Sequence, residues 1–228
     1  MKYLKESKSD LNYIEFFNDV DYPTVVLLHG YGANARDLAG IAQIAEFEAL
    51  HLNWMFIEAP LSPPELAMIN GRAWFEVDIA HFQNLILQNK FEEYYSRTPE
   101  NIDYLQDSIE IFFQEKYLNE NNMILGGFSQ GAMVATDHLY EKKLRPLALL
   151  YLSGTVIREG LWKTQTLENL KIFQSHGRFD DVLPVQGALH FKDIAKSNHH
   201  KIHIFDGGHE IPPNILFELY NFLKELQG

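Results

Sequence analysis

The sequence predicts an α/β fold: a mainly parallel central sheet with helices on both faces. Two observations carry this expectation. Short apolar runs rich in Val, Ile, Leu and Phe alternate along the 228 residues with longer segments of 3.6-residue period, the pattern of strands joined by crossover helices. In addition, Gly127-Phe128-Ser129-Gln130-Gly131 links the apolar run Met123-Ile124-Leu125 to the helix-forming Ala132-Met133-Val134-Ala135. A serine on so sharp a strand-to-helix turn needs small residues two positions away on each side, because a Cβ there would meet the returning backbone.

The elements follow in order. Leu11–Phe17 and Thr24–Leu28 read as strands, and the turn-rich Asn18-Asp19-Val20-Asp21-Tyr22-Pro23 between them predicts an antiparallel hairpin at the sheet edge. Asp37–Leu50 reads as a helix and Trp54–Ile57 as a strand. Leu61–Arg97, with Pro63-Pro64, Gly71-Arg72-Ala73-Trp74-Phe75 and the amphipathic Phe82–Tyr95, breaks the alternation and is expected to form a lid-like excursion over the site. Pro99–Tyr117 reads as a helix capped by Thr98, with Pro99 first and Ile102, Leu105, Ile109 and Phe112 on one face. Strands at Met123–Leu125, Leu147–Leu152, Lys171–Gln174 and Lys201–Phe205 then alternate with helices at Gln130–Lys143, Val185–Lys196 and Pro213–Leu226. No Ser/Gly/Pro-rich linker or repeat divides the chain, so one domain over residues 1–228 is expected, with 61–97 as its excursion.

The formal charge is −12, from 31 acidic and 19 basic residues. Phosphate polymers and anionic membrane surfaces are repelled by such a field, whereas neutral or cationic small molecules are not. Met1-Lys2-Tyr3-Leu4-Lys5-Glu6-Ser7 lacks the apolar core of a signal peptide, and no apolar run approaches the ~18 residues of a membrane span. A cytoplasmic protein with no integral membrane segment is expected. The absence of cysteine excludes disulfides, thiolate metal sites and a cysteine nucleophile.

A serine hydroxyl is a poor nucleophile at neutral pH and needs a histidine base, an acid to orient it and donors for the developing oxyanion. His29-Gly30-Tyr31-Gly32 follows the strand Thr24–Leu28 and can aim the Tyr31 N–H into the site, with the Gln130 N–H as a second donor. His176-Gly177-Arg178-Phe179-Asp180-Asp181 follows the strand Lys171–Gln174 and carries two candidate acids; Asp206-Gly207-Gly208-His209-Glu210 follows Lys201–Phe205 and carries the candidate base. The chain order Ser, Asp, His is that of α/β hydrolases, and each element lies just after a strand, where parallel sheets place their sites. Ser153 lacks a glycine two residues before it and a helix after it, and reads as a turn residue. His199-His200-x-x-His203 with Asp206 could suggest a metal site, but Lys201–Phe205 alternates like a strand and divides His203 and its neighbours between faces, so no metal is expected; His29 and His176 are expected to shape their loops by hydrogen bonding.

From Thr24 to the C-terminus the chain resembles the phospholipase/carboxylesterase family of α/β hydrolases, which includes acyl-protein thioesterases and small bacterial carboxylesterases. The resemblance rests on Leu28-His29-Gly30-Tyr31-Gly32-Ala33-Asn34, Gly127 to Ala132, Leu152-Ser153-Gly154, His176 to Asp180 with Leu183-Pro184, and Gly208-His209-Glu210. It implies Ser129 as nucleophile, Asp180 as acid, His209 as base, oxyanion donors at Tyr31 and Gln130, and no cofactor. The family's usual proline after the acid is replaced here by Asp181. Trp74-Phe75 resembles an aromatic pair of the family; Trp74, Phe75 and Phe82 are expected to touch substrate, with Phe82, Leu85, Ile86 and Phe91 covering the acyl group. The implied activity is hydrolysis of carboxylic esters, acyl thioesters or lysophospholipids through an acyl-enzyme, by a monomer or homodimer. A peptidase or amidase on the same residues and a non-catalytic ligand-binding protein are the rival readings.

Overall fold

The protein is described by a computed structural model covering residues 4–227. Among these, strands β1 (Tyr13–Phe16), β2 (Thr24–Leu28), β3 (Asn53–Ile57), β4 (Met123–Phe128), β5 (Ala148–Leu152), β6 (Lys171–Gly177) and β7 (His199–Phe205) form one sheet in the order β1-β3-β2-β4-β5-β6-β7. All neighbours are parallel except β1 against β3. Helices α1 (Ala35–Ala39), α2 (Ala45–Glu48) and α8 (Pro213–Leu226) bury Leu38, Phe47, Leu219 and Phe222 on one face. On the other face, α4 (Ile102–Glu115), α5 (Gln130–Glu141), α6 (Glu159–Trp162) and α7 (Val185–Ala195) bury Ile109, Val134, Trp162 and Phe191. β2, β4 and β5, covered on both faces, are almost wholly apolar, which explains the unbroken runs in the sequence. No helix among the described residues is long and apolar enough to cross a membrane.

The expected β1–β2 hairpin does not form, because β3 lies between the two strands. All five residues of β2 are buried, so it takes a central position with partners on both sides, whereas half-buried Glu15 and Phe16 suit β1 to an edge. The crossing loop is held by Asn53. Its Oδ1 accepts the N–H groups of Asn18 and Asp19 at 2.7 and 3.2 Å, and its Nδ2 donates to the carbonyls of Asp19 and Tyr22 at 2.7 and 2.9 Å.

Helix boundaries also shift. The expected Asp37–Leu50 helix is broken into α1, a short 3₁₀ turn at Ile41–Gln43 and α2, because α1 ends at Gly40 and Ile44 is extended. Asn34 and Asp37 form a reciprocal capping box that starts α1 two residues early. The α4 helix begins at Ile102 after Asn101, so Thr98 and Pro99 belong to the preceding loop and not to the cap. Its expected apolar face of Ile102, Leu105, Ile109 and Phe112 is buried.

A buried polar network holds α5. Asp137, fully enclosed, accepts hydrogen bonds from Gln106 Nε2 (2.9 Å), Arg158 Nη1 (3.0 Å) and Trp162 Nε1 (2.9 Å), joining α4, α5 and α6. Asp137→Leu leaves the buried Gln106 and Trp162 donors without an acceptor, takes one of the partners of Arg158, and is expected to lower unfolding stability by about 3 kcal/mol or more. Urea denaturation measures this; a loss below about 1 kcal/mol would show that the network is dispensable.

Candidate active site

The sheet reverses its direction of growth at β2, with β3 added on one side and β4 on the other. The carboxyl ends of β2 and β4 therefore flank the topological switch point, where open α/β sheets form their binding crevice. Ser129 stands at the end of β4 in the strained conformation φ 56°, ψ −121°. A Cβ on Gly131 would overlap the Leu28 carbonyl, and one on Gly127 would overlap the Gly131 backbone, so both glycines are needed for α5 to return past the strands. The Ser129 N–H donates to the Leu152 carbonyl at 2.8 Å, fixing the turn to β5.

Three residues from three loops meet there. His209 Nε2 lies 2.8 Å from Ser129 Oγ, and His209 Nδ1 lies 2.7 Å from Asp180 Oδ2. The base and acid loops brace one another, the N–H groups of Arg178 and Phe179 donating to the carbonyls of Phe205 and Gly207. Asp180 Oδ1 accepts the N–H groups of Val182 and Leu183 at 3.0 and 2.8 Å. Asp181, the other candidate, is exposed at the mouth of the cleft.

His176, which sequence reasoning confined to loop shaping, also reaches Asp180. Its Nε2 lies 2.7 Å from the Leu183 carbonyl and 3.2 Å from Asp180 Oδ2, both acceptors, so the ring hydrogen sits on Nε2. Burial disfavours the Asp180 charge, but the hydrogen bonds from His176, His209 and the Leu183 N–H outweigh it and hold the carboxyl below the usual carboxylate range. The Asp180 carboxyl therefore stays ionised wherever the protein is folded at neutral pH.

Tyr31 and Gln130 border the same cleft, and neither backbone N–H has an intramolecular hydrogen-bond partner among the described residues. The Tyr31 hydroxyl donates to Glu65 at 2.8 Å; burial and then Glu65 push this phenol up to about 12. The cleft, about 310 Å³, is lined by Phe75, Val77, Ile79, Phe82, Ile86, Tyr94, Met133 and Leu183 besides the polar residues named. Helix α3 (Ile79–Leu87) presents Phe82 and Ile86 to it, one helical turn apart, while Leu85 and Phe91 are buried beneath, Phe91 packing edge-on against Phe82. The expected cover of four residues is thus divided between wall and support. Trp74, expected to touch substrate, does not line the cleft: it is buried, and its indole N–H donates to the His29 carbonyl at 2.7 Å. Met133 was missed, although it lies four residues after Ser129 on the face that a helix turns back towards its start.

The sequence also singles out four further histidines. His29 Nε2 accepts the Ala59 N–H at 3.0 Å and Nδ1 donates to the Gly30 carbonyl at 2.8 Å. His199 is exposed, His200 Nε2 donates to Gln174 Oε1 at 2.6 Å and His203 stacks on Phe173. Burial lowers both His29 and His200 to about 4. The unfolded chain, with histidines near 6.5, then takes up protons first, so stability should fall as pH drops from about 6.5 to about 4. Thermal unfolding across that range should show the fall, and His200→Gln should reduce it; an unchanged midpoint in the parent protein would refute the assignment.

This fold, with a serine on a glycine-bounded strand–helix turn after β4 and an aspartate and a histidine beyond the ends of β6 and β7, defines an α/β hydrolase. The chain belongs to the phospholipase/carboxylesterase family, whose model matches residues 12–227. It is 26% identical over 219 residues to the acyl-protein thioesterase 1 of Eremothecium gossypii, covering 87% of this chain and 86% of that protein. Among solved structures, esterase PE8 superposes with a TM-score of 0.71 at 25% identity, covering 99% of this chain and 98% of that one. The Bacillus cereus carboxylesterase shares the fold, with a TM-score of 0.70, 17% identity and 97% coverage of both chains.

Proposed function

We propose that the protein is a serine ester hydrolase that cleaves carboxylic esters or acyl thioesters of aliphatic acids through an acyl-enzyme. The observation that carries this reading is the unbroken hydrogen-bond chain Ser129–His209–Asp180 opening into an apolar cleft. His209 Nε2 takes the Ser129 proton as Oγ attacks the substrate carbonyl, while Asp180 holds Nδ1–H and stabilises the imidazolium. The Tyr31 and Gln130 N–H groups receive the oxyanion, and the N-terminus of α5 adds its dipole. The imidazolium then protonates the leaving alcohol or thiol, and water repeats the sequence on the acyl-enzyme.

The wall from Val77 to Ile86 with Met133 and Leu183 suits a hydrocarbon chain. Asp181 is the one charged residue lining the cleft among the described residues, which favours neutral or cationic leaving groups over anionic ones. The relatives named for thioester and ester hydrolysis support both substrate classes. The reading includes a single cytoplasmic α/β-hydrolase domain over 1–228 that acts without cofactor, as monomer or homodimer. The decisive test is fluorophosphonate labelling mapped by mass spectrometry, with rates on p-nitrophenyl esters of increasing acyl length and a palmitoyl thioester. Labelling at Ser129 and a kcat/KM that rises above that of acetate are expected. No labelling and no hydrolysis would instead leave a non-catalytic binding protein.

A further inference from the structure

Gln130 has a second connection besides its position after Ser129. Its buried side chain accepts the Trp74 N–H on Oε1 at 2.9 Å and donates from Nε2 to the Phe75 carbonyl at 2.8 Å. One primary amide thus grips two consecutive backbone groups of a segment more than fifty residues earlier in the chain.

That grip falls where the excursion changes character. Before it, the chain is tied to the loop bearing Tyr31: the Gly32 N–H donates to the Arg72 carbonyl at 2.9 Å, the Arg72 N–H to the Ala33 carbonyl at 2.8 Å, and Leu61 pairs with Ala73. After it, Val77, Ile79, Phe82, Ile86 and Tyr94 supply the apolar wall of the cleft. Between Phe75 and α3 the backbone is held by the Arg97 guanidinium on the Glu76 carbonyl at 3.0 Å. Phe75 itself lines the cleft, so whatever fixes its carbonyl fixes the first panel of the wall.

We infer that the Gln130 side chain is a specificity-determining positioning residue: it registers the acyl-binding wall against the nucleophile elbow and so sets which acyl lengths are accepted. The inference rests on the proposed reading of Ser129 as nucleophile. Its physical basis is that two buried backbone groups lose their partners when the amide is removed, and the segment must move to satisfy them. Movement there changes the wall, which a long acyl chain touches and an acetyl group does not.

The test uses Gln130→Ala and Gln130→Glu, both of which retain the backbone N–H assigned to the oxyanion. The glutamate variant keeps the side-chain size and the acceptor for Trp74 but turns a carboxylate oxygen towards the Phe75 carbonyl, so it decides the matter if the alanine variant does not fold. The readout is the ratio of kcat/KM for p-nitrophenyl decanoate to that for the acetate. We expect it to fall by about tenfold or more, chiefly through KM for the decanoate. A ratio within about twofold of the parent enzyme's, whether or not both rates drop together, would overturn the inference and leave the amide as elbow packing. Parent enzyme that carries fluorophosphonate on Ser129 while the ratio is unchanged isolates this failure; parent enzyme unlabelled at Ser129 overturns the underlying reading and the inference with it.

Discussion

Ser129→Ala should lower kcat by about 10⁴-fold or more with little change in KM or in unfolding temperature. Alanine keeps the Cβ and accepts the same strained backbone no worse than serine, so the elbow and its tie to Leu152 persist. What is lost is the oxygen 2.8 Å from His209 Nε2, leaving only the electrostatic contribution of the two N–H groups and the helix dipole. Single-turnover and steady-state rates on a p-nitrophenyl ester measure the effect. Turnover near that of the parent enzyme would remove Ser129 from the mechanism.

The second large effect is expected at the acid. Asp180 accepts four donors, the N–H groups of Val182 and Leu183 on one oxygen and His176 Nε2 and His209 Nδ1 near the other. Asp180→Asn replaces one oxygen with an amide NH₂, which cannot accept. If the NH₂ faces His209, the imidazole is forced into the tautomer that cannot take the serine proton; if it faces Val182 and Leu183, the loop loses its brace. The expected cost is about 10⁴-fold in kcat, against less than about tenfold for Asp181→Asn, whose side chain makes no hydrogen bond to His209. The reverse ranking would transfer the role to Asp181.

Much of the fold was legible because parallel strands covered on both faces need continuous apolar runs, and these mark β2, β4 and β5 directly. The elbow was legible because its steric demand is local: a serine with glycines two residues to either side announces a backbone that passes very close to its neighbours. The hairpin at β1 was misread because strand pairing is a choice among distant partners, and the decisive group, Asn53, lies far along the chain from the loop that it holds. Trp74 looked like a substrate contact by its aromaticity, yet its N–H found the His29 carbonyl, an acceptor 45 residues earlier.

The strand–helix alternation, the position of the elbow and the order of serine, carboxylate and histidine could be read without coordinates, because turn sterics and hydrophobic period act over a few residues. It took the tertiary structure to set Asp180 and not Asp181 against His209, to bring His176 onto that carboxylate and to clasp Trp74 and Phe75 with the Gln130 amide. Each of these depends on a hydrogen bond whose length and direction are set by packing between loops from different strands, and adjacent residues of the same type are separated by nothing else.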